Sequence, residues 1–268
     1  MSVSGIESHW GASAVDISKW DLPALKASYL VANGPSVGRV CEVGSGDGKL
    51  LRTLHRARPE LELFGCDVRA PRKPPEVYSF RLIEKERLPF DDSSLEGAIV
   101  FDVLEHVPDP SRTLSEVARV LKPGGTFVAF VPIEGQAVSW YSVYRRLFGD
   151  DTYIETKEHI QSFSRDGLRA LVERDFTVVN MSYAYHAFGQ WMDASFFAAA
   201  KLKSVRKFWW NDNVYYNDTP RDSNPSLVSR ALNGLLRLGN AAAFAESRLL
   251  ENVPFSSAGV LFVARVRK

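Results

Sequence analysis

The stretch Val40-Cys41-Glu42-Val43-Gly44-Ser45-Gly46-Asp47-Gly48-Lys49-Leu50 decides the fold, because an apolar run passes through three closely spaced glycines into leucines at helical spacing. The run at 39–43 predicts a buried strand, and Leu50, Leu51 and Leu54 predict the helix that follows. Glycines between a strand and a helix let the chain turn sharply and approach a ligand closely. The stretch therefore predicts the first strand, loop and helix of an α/β sheet, with a ligand site at the loop.

Apolar strand patterns and helical patterns alternate on both sides of this stretch. Further strands are predicted at 61–68, 78–83, 97–101, 126–131, 176–181 and 259–266. Further helices are predicted at 21–32, 110–121 and 159–173. Asp21 and Ser164 stand where side chains cap helix N-termini. Such alternation predicts a doubly wound α/β sheet of about seven strands.

Two segments interrupt the alternation. Residues 69–77, RAPRKPPEV, contain three prolines, which are incompatible with a regular crossover helix. Residues 190–255 exceed what a sheet needs and carry two helical stretches, so they predict a helical cap inserted before the last strand. We therefore expect one domain over 1–268, made of an N-terminal helical segment at 1–37, a ligand-binding core at 38–189, the cap insertion at 190–255 and the last strand at 256–268.

The composition argues against several classes of function. The chain has 268 residues, and its 33 Lys and Arg balance 32 Asp and Glu, so a net charge of +1 gives no field for capturing a nucleic acid. No run approaches the ~20 apolar residues of a membrane span, and residues 1–13 lack the features of a signal peptide, so we expect a cytoplasmic protein. Cys41 and Cys66 lie in apolar runs without a second ligand pair at metal spacing, which predicts reduced thiols and no metal site.

The acids around the glycine loop indicate the charge of the ligand. A dinucleotide loop follows the pattern GxGxxG, whereas this loop is GxGxG, with Glu42 before it and Asp47 within it. Two carboxylates would repel a pyrophosphate and would suit a ligand that brings a cation. S-Adenosylmethionine is such a ligand, since its sulfonium and ammonium groups are positive. Asp67, at the end of the second predicted strand, lies where a carboxylate can accept both ribose hydroxyls.

Four segments in this order resemble the class I S-adenosylmethionine-dependent methyltransferases, especially the type 11-like family of small-molecule and quinone methyltransferases. They are CEVGSGDG at 41–48, FGCDV at 64–68, RLPFDDSSLEGAIVFDVLEHVPDP at 87–110 and LSEVARVLKPGGTFVAFVP at 114–132. The resemblance covers roughly residues 38–183 by the order of strands and helices. It implies an enzyme that uses S-adenosylmethionine as its methyl donor. It also implies a Rossmann-like sheet whose last strand is antiparallel.

The resemblance also implies which residues bind the cofactor. The methionine part of the cofactor is expected to contact Glu42, Gly44, Ser45 and Gly46, with Phe101 and Asp102 along its tail. The ribose and adenine are expected to contact Asp67 and Val68. The adenine is also expected to contact Glu84 and Lys85. Glu84 departs from the family's pattern, which usually has an Asp at that position.

Two histidines are candidates for the base that takes the acceptor's proton. His106 follows the fourth predicted strand in DVLEHV, and it either acts as the base or positions the cofactor or the backbone. His159 is expected at the start of the helix before the sixth strand, where a helix N-terminus favours a neutral imidazole; the alternative is a capping or surface role.

The segments beyond the glycine loop indicate the acceptor. Tyr141, Tyr144 and Tyr153 follow the fifth strand, where acceptor pockets of this family form, although core packing explains each tyrosine equally well. Phe101-Asp102-Val103-Leu104 stands where methyltransferases acting on nucleobase or glutamine amides have an Asn/Asp-Pro-Pro-aromatic run. This difference favours small metabolites, sugars or lipids.

The cap insertion carries two surfaces that could contact a partner. Residues 201–210, KLKSVRKFWW, combine basic and aromatic side chains, which suit an anionic headgroup, a nucleotide-sugar, a membrane interface or an ordinary cap helix. The predicted helix at 226–250 has a wide apolar face that could roof the pocket, join a homodimer or rest on lipid.

The sequence therefore predicts methyl transfer to a small or lipid-linked acceptor, first of all to a hydroxyl of a sugar, lipid-linked compound or secondary metabolite, with His106 or His159 as the base. The alternatives are C-methylation of a quinone-like or isoprenoid acceptor, and a non-catalytic cofactor-binding subunit. No nucleic-acid partner is expected.

Overall fold

The computed structural model describes residues 14–136, 139–149, 159–199 and 227–267. The strands in these ranges are β1 (Arg39–Val43), β2 (Glu62–Asp67), β3 (Ser79–Leu82), β4 (Leu95–Phe101), β5 (Leu121–Pro132), β6 (Phe176–Ala184) and β7 (Gly259–Val266). The helices are α1 (Leu22–Asn33), α2 (Lys49–Ala57), α3 (Pro110–Val120), α4 (Trp140–Phe148), α5 (Arg165–Val172), α6 (Ala187–Ala199) and α7 (Leu227–Leu249).

The described strands form one sheet in the order β3-β2-β1-β4-β5-β7-β6. Strands β1 to β5 pair in parallel, and β7 is antiparallel to both β5 and β6. This confirms the predicted doubly wound sheet and its antiparallel last strand. The chain order reverses between β1 and β4, and ligands of open α/β sheets bind beyond the carboxyl ends of strands at such a switch point.

Alternating side chains of the central strands are buried on opposite faces of the sheet. On one face, Cys41, Ala98 and Phe127 belong to a core that includes side chains of α3 and α5. On the other face, Val40 and Ile99 belong to a core that includes side chains of α1 and α2. Burial on both faces is what the nearly continuous apolar runs of parallel strands provide.

The N-terminal helix begins where the sequence predicts. The Asp21 side chain accepts the Ala24 backbone N–H at 2.8 Å, and Pro23 lies in the first turn, where its missing N–H costs no hydrogen bond. The segment 69–77 is without helix or strand, as its prolines predict.

The helix expected at 159–173 is shorter than predicted. The structure starts α5 at Arg165, where the Ser164 hydroxyl accepts the Gly167 N–H at 3.1 Å, so the predicted cap is confirmed and the predicted start is wrong. His159 precedes this helix, so it does not lie at the helix N-terminus that was expected to favour a neutral imidazole. The physical reason lies in the preceding backbone, because Ile160 and Gln161 donate their N–H groups to the Glu105 carbonyl at 2.9 and 3.0 Å instead of continuing a helix.

The segment after β5 is more regular than a loop. Residues 140–148 form α4, whose first turn is capped by Ser139 through its hydroxyl, which accepts the Ser142 N–H at 3.0 Å. Tyr141 and Tyr144 are therefore buried helix residues, whereas Tyr153 lies outside the described residues.

Two described helices belong to the predicted cap. In α7, Ala243 packs with Leu22 and Leu25 of α1 and with Ala184 at the end of β6. The α6 N-terminus is tied to α7, because Phe188 and Gly189 donate their N–H groups to the Glu246 carboxylate at 2.9 and 3.0 Å. The cluster at 201–210 and the start of the helix predicted from 226 lie outside the described residues. Among the helices described, none has the length and apolar character to cross a membrane.

Candidate functional site

The glycine loop 44–48 joins β1 to α2 at the carboxyl edge of the sheet. Gly44 has a φ of +73°, and a Cβ there would lie 2.4 Å from Val103 Cγ2, so a larger residue would collide with the segment after β4. Gly46 has a φ of +49°, and a Cβ there would meet no atom within 4 Å. The loop therefore packs closely against β4 at its first glycine and faces open space at its second, as a ligand cradle requires.

Glu42 lies under this loop with its side chain sealed from solvent. The residue is 4% exposed, and its Oε2 has no hydrogen-bond partner in the described part of the chain. Burial raises the pKa of Glu42 to about 8, a hydrogen bond from the Leu51 backbone opposes this rise, and the nearby Asp67 charge adds to it. The Ser45 hydroxyl is also buried without a described partner. Two such polar atoms at one loop indicate a ligand that brings hydrogen-bond donors or positive charge.

Asp67 lies at the end of β2 and holds the glycine loop. The Gly46 N–H donates to Asp67 Oδ2 at 2.9 Å, and the Arg69 N–H donates to Oδ1 at 3.1 Å. Each carboxylate oxygen has a second lone-pair direction, which suits the two vicinal hydroxyls of a ribose. Val68 follows with its side chain 69% exposed, as an apolar surface beside this carboxylate.

Asp47 has a different role from the one its position in the loop suggests. Its carboxylate accepts the Arg72 backbone N–H at 3.0 Å and the Arg72 Nε–H at 2.7 Å. Burial alone would raise the pKa of Asp47, but the hydrogen bonds from Arg72 outweigh it and hold that pKa below its usual value. The interpretation that Asp47 selects a cationic ligand is therefore corrected: it anchors the proline-rich crossover to the loop.

Glu84 and Lys85 follow β3 at the same edge of the sheet. Both side chains are exposed, and Lys85 has a φ of +51°. Glu84 pairs with Arg87 in an isolated backbone bridge, and Ile83 just before it donates its N–H to the Asp67 carbonyl at 2.8 Å. The structure thus places this turn beside the end of β2, where the adenine end was expected.

Phe101 is the last residue of β4 and Asp102 follows it, and Asp102 has a partner that the sequence did not reveal. Lys26 of α1 places its Nζ 2.9 and 2.7 Å from the two Asp102 carboxylate oxygens. The same ammonium lies 3.6 Å from the centroid of the Phe130 ring, while Phe101 is buried beside Phe130. Asp102 therefore offers a carboxylate already neutralised by a lysine. Nothing in the spacing of the two residues predicts this ion pair, because it depends on how α1 packs.

His106 and His159 come together next to two buried acids. Their ring centroids are 5.0 Å apart at an angle of 75°. His159 Nδ1 lies 2.8 Å from Glu134 Oε2, and His106 Nε2 lies 3.9 Å from Glu105 Oε1. Both candidate bases are thus in one cluster, between the segment after β4 and the segment after β5. Glu134 was missed, although its position just past the end of β5 is one where site residues of α/β sheets occur.

Tyr141 and Tyr144 lie on the α4 side of this region. Both are buried, and the Tyr141 hydroxyl donates to Asp193 of α6 at 2.5 Å. They pack with Ala258, just before β7, so they connect α4 to the cap and the last strand. Packing therefore accounts for both tyrosines.

The site as a whole fits S-adenosylmethionine. The Glu42 oxygen that lacks a partner among the described residues suits a positively charged methionine part. The open face of Gly46 leaves room for a ligand, and Asp67 with Val68 offers a carboxylate next to an apolar surface. The loop and these side chains meet at the switch point of the sheet.

Known proteins resemble this chain in sequence and in fold. The profile of the family described as "Methyltransferase domain" matches residues 21–180, more than half of the chain. The chain is 31% identical to the ubiquinone/menaquinone biosynthesis C-methyltransferase UbiE of Desulfotalea psychrophila over 104 residues, 36% of this chain and 42% of that protein. It is 31% identical to 24-methylenesterol C-methyltransferase 2 of Arabidopsis thaliana over 88 residues, 32% of this chain and 22% of that protein. Both matches span less than half of the relative's length.

A solved structure agrees with the fold. The geranyl diphosphate C-methyltransferase from Streptomyces coelicolor A3(2), a complex with Mg²⁺, geranyl diphosphate and S-adenosyl-L-homocysteine, superposes with a TM-score of 0.55 at 17% identity. The superposition covers 92% of this chain and 81% of that one. At this identity the likeness concerns the fold alone. With the family profile, it establishes that the chain belongs to the class I S-adenosylmethionine-dependent methyltransferases.

Proposed function

We propose that the protein transfers the methyl group of S-adenosylmethionine to a hydroxyl oxygen of a small or lipid-linked acceptor, such as a sugar or a secondary metabolite. The observation that carries this proposal is the His159–Glu134 pair, joined at 2.8 Å beside His106. A hydroxyl, unlike a neutral amine, needs a base that takes its proton in the transition state.

The cofactor half of the proposal rests on the glycine loop. S-Adenosylmethionine supplies a methyl group on a sulfonium, so that alignment of donor and acceptor accounts for most of the acceleration. In the proposed complex, Glu42, Ser45 and the backbone at Gly44 and Gly46 hold the methionine part. Asp67 accepts the ribose hydroxyls, with Val68 and the turn at 84–85 beside the adenine. Lys26 fixes Asp102 and with it the chain where β4 ends.

The histidine cluster would handle the acceptor's proton. A carboxylate that accepts from one ring nitrogen of a histidine fixes its tautomer and stabilises the imidazolium that forms when the other nitrogen takes a proton. Glu134 is 5% exposed and can act in this way on His159. His106 has a more exposed ring, with 38% of its side chain accessible, and is the second candidate for the base.

C-methylation of a quinone-like or isoprenoid acceptor is the second candidate function. It is supported by the names of both relatives and of the solved neighbour, which are C-methyltransferases of quinone, sterol and geranyl diphosphate substrates. A purely cofactor-binding subunit is a weaker alternative, because the buried Glu42 and the strand-end Asp67 are both present.

The test is product analysis with ¹³C-methyl-labelled cofactor and a panel of phenols, sugars, quinols and prenyl compounds. O-methyl resonances in the product support the proposal, whereas C-methyl resonances replace it with the second function. His159→Ala should lower kcat by about a hundredfold or more while binding of S-adenosylhomocysteine is kept, and His55→Ala on α2 is the matched control. Unchanged kcat in both His159→Ala and His106→Ala would remove the base assignment.

The cofactor assignment has its own test by calorimetry. S-Adenosylhomocysteine should bind the wild-type protein, and Asp67→Ala should weaken binding by about tenfold or more, because the ribose hydroxyls lose their acceptor. Asp91→Ala, in a loop of the same protein away from the glycine turn, is the control. Full affinity in both Asp67→Ala and Glu42→Ala would overturn the assignment.

A further inference from the structure

We propose that Glu105, His106 and His159 form a binding site for a divalent transition-metal ion. Sequence patterns predict no metal site, since the three residues do not follow the spacing of a metal-binding motif. The site itself does not depend on the proposed function, whereas its role toward an acceptor does.

The three side chains offer ligand atoms at metal distances. One ligand atom from each residue lies within 4.8 Å of the others. Tetrahedral ligands at about 2.0–2.2 Å from one ion lie roughly 3.3–3.6 Å apart, so rotation of the exposed His106 side chain would complete the site. Backbone hydrogen bonds already hold the segment of Glu105 and the segment of His159 together. The Glu105 carbonyl accepts the N–H groups of Ile160 and Gln161, which directly follow His159.

Glu105 is the independent observation that indicates a cation. The residue is 1% exposed, and neither of its carboxylate oxygens has a hydrogen-bond partner among the described residues. A buried carboxyl without hydrogen bonds is costly, and a coordinated cation would provide the missing partner.

Glu134 contacts His159 and would support the proposed site without binding the ion itself. Its carboxylate lies 2.8 Å from Nδ1 of His159, and a carboxylate on one ring nitrogen is the usual support of a histidine that binds a metal through the other. A histidine that donates its Nδ1–H to Glu134 has its lone pair on Nε2. This second carboxylate would fix the tautomer and the orientation of the ring and would raise its basicity as a ligand.

The donor set indicates the class of ion. Two imidazoles and one carboxylate suit Zn²⁺, Mn²⁺, Fe²⁺ or Co²⁺, whereas Mg²⁺ and Ca²⁺ prefer oxygen ligands. Three protein ligands leave positions open on the ion. If the proposed function holds, those positions would orient an oxygen-bearing acceptor and make its hydroxyl more acidic, so that the histidine cluster would promote loss of the acceptor's proton through the bound ion.

Co²⁺ is the probe of choice, because its visible absorption reports the coordinating atoms. Untagged protein is treated with a chelator, dialysed and titrated with Co²⁺, while affinity is measured by calorimetry with Zn²⁺. We expect one equivalent per chain, with absorption bands typical of nitrogen and oxygen ligands. Glu134→Gln should weaken binding by about ten- to a hundredfold, and Glu105→Gln by more. Circular dichroism of each variant checks that it is folded.

His106→Ala keeps the test decisive, because its half-exposed side chain can be removed without opening the core. It should weaken Co²⁺ binding at least tenfold, as a lost ligand does, whereas His55→Ala leaves binding unchanged. Wild-type protein without saturable Co²⁺ binding, or equal binding in wild type and in folded Glu105→Gln and His106→Ala, would overturn the proposal. S-Adenosylhomocysteine titrated into the metal-free protein separates the two inferences: binding there without any Co²⁺ site refutes only the metal site, and a Co²⁺ site without cofactor binding refutes only the proposed function.

Discussion

Glu42 illustrates how one buried carboxyl can be coupled to its ligand. With one oxygen lacking a described partner and burial raising its pKa to about 8, the free protein favours the neutral form near neutral pH. A cationic cofactor that approaches this carboxyl would favour the ionised form and lower the pKa. Binding of S-adenosylmethionine should therefore release a proton from Glu42.

Replacement of Glu42 by Gln should change how stability depends on pH. The folded-state pKa of about 8 lies above the ordinary 4.5, so the contribution of Glu42 is fully present below about pH 4.5 and is lost as pH rises through about 8. Relative to Glu42→Gln, the wild type should lose up to ~1.4 kcal/mol of unfolding free energy per pH unit across this range. Urea titrations at several pH values measure the difference, with the exposed Glu60→Gln as the control. A constant difference from pH 5 to pH 8.5 would contradict the assignment.

Two glycines of the same loop should respond differently to alanine. In Gly44→Ala the new Cβ collides with Val103, so we expect a loss of about 1–3 kcal/mol in stability. In Gly46→Ala the Cβ enters open space, so only the positive φ costs stability, about 1 kcal/mol. Calorimetry should find weaker S-adenosylhomocysteine binding in folded Gly46→Ala. Unaltered affinity there would show that the open face of the loop is not the cofactor's side.

The residues whose position the sequence could predict are those that follow from a strand end. Asp67 is the last residue of β2 and His106 lies in the segment that follows β4, and carboxyl ends of parallel strands meet at one edge. Lys26 and Asp47 could not be interpreted in this way, because their partners, Asp102 and Arg72, are fixed by tertiary packing and by an irregular crossover. Side-chain pairing across distant segments has no local signal in one sequence.

At the scale of elements, α1 packs on the sheet and also places a charged side chain at the end of β4. Its Leu30 packs in the core with α2, and its Lys26 reaches the end of β4. The helix was predicted with its cap, because Asp21 and Pro23 are local signals. In contrast, the helix before β6 was predicted too long, because apolar spacing continues upstream of Ser164 although Ile160 and Gln161 bond to Glu105.

Lys26→Met should loosen the junction between α1 and β4. It removes the cation from a carboxylate that is 40% exposed, so the loss of stability should be modest, about 1 kcal/mol. Lys26→Arg should keep most of the stability that the ion pair contributes. Lys19→Met, at an exposed position before α1, is the control. Thermal unfolding measures the effect. If Asp102 guides the cofactor, Lys26→Met should also change the KM for S-adenosylmethionine more than its Lys19 counterpart does.

At the scale of the molecule, the part that the family profile matches is separate in sequence from the helical insertion and from the last strand. The family profile ends at residue 180, before α6, α7 and β7. The last strand was nevertheless predictable, because a strongly apolar run at 259–266 follows the helical insertion, and its antiparallel direction is what the resemblance to class I methyltransferases implied. How α6 and α7 lie on α1 was not predictable, since a helical pattern gives a face and not its partner.

The central position of β7 predicts that truncation of its buried side chains lowers the stability of the whole domain. Phe262 is 1% exposed, and its ring meets Phe127 edge-on at a centroid distance of 5.5 Å. Phe262→Ala should therefore cost about 3–5 kcal/mol of unfolding free energy. Val179→Ala on β6, where the side chain is 62% exposed, should cost well under about 1 kcal/mol. A denaturant midpoint in Phe262→Ala equal to that of Val179→Ala would contradict the central role of β7.

The same strand has a consequence for protein synthesis. Because β7 lies between β5 and β6, the sheet edge of β5 stays unpaired until residues 259–266 have left the ribosome. A nascent chain would first be able to form the parallel half that carries the glycine loop, and β6 would have no neighbour in the sheet during that time. Translation speed over the insertion thus sets how long an open β edge is exposed to chaperones and to other chains.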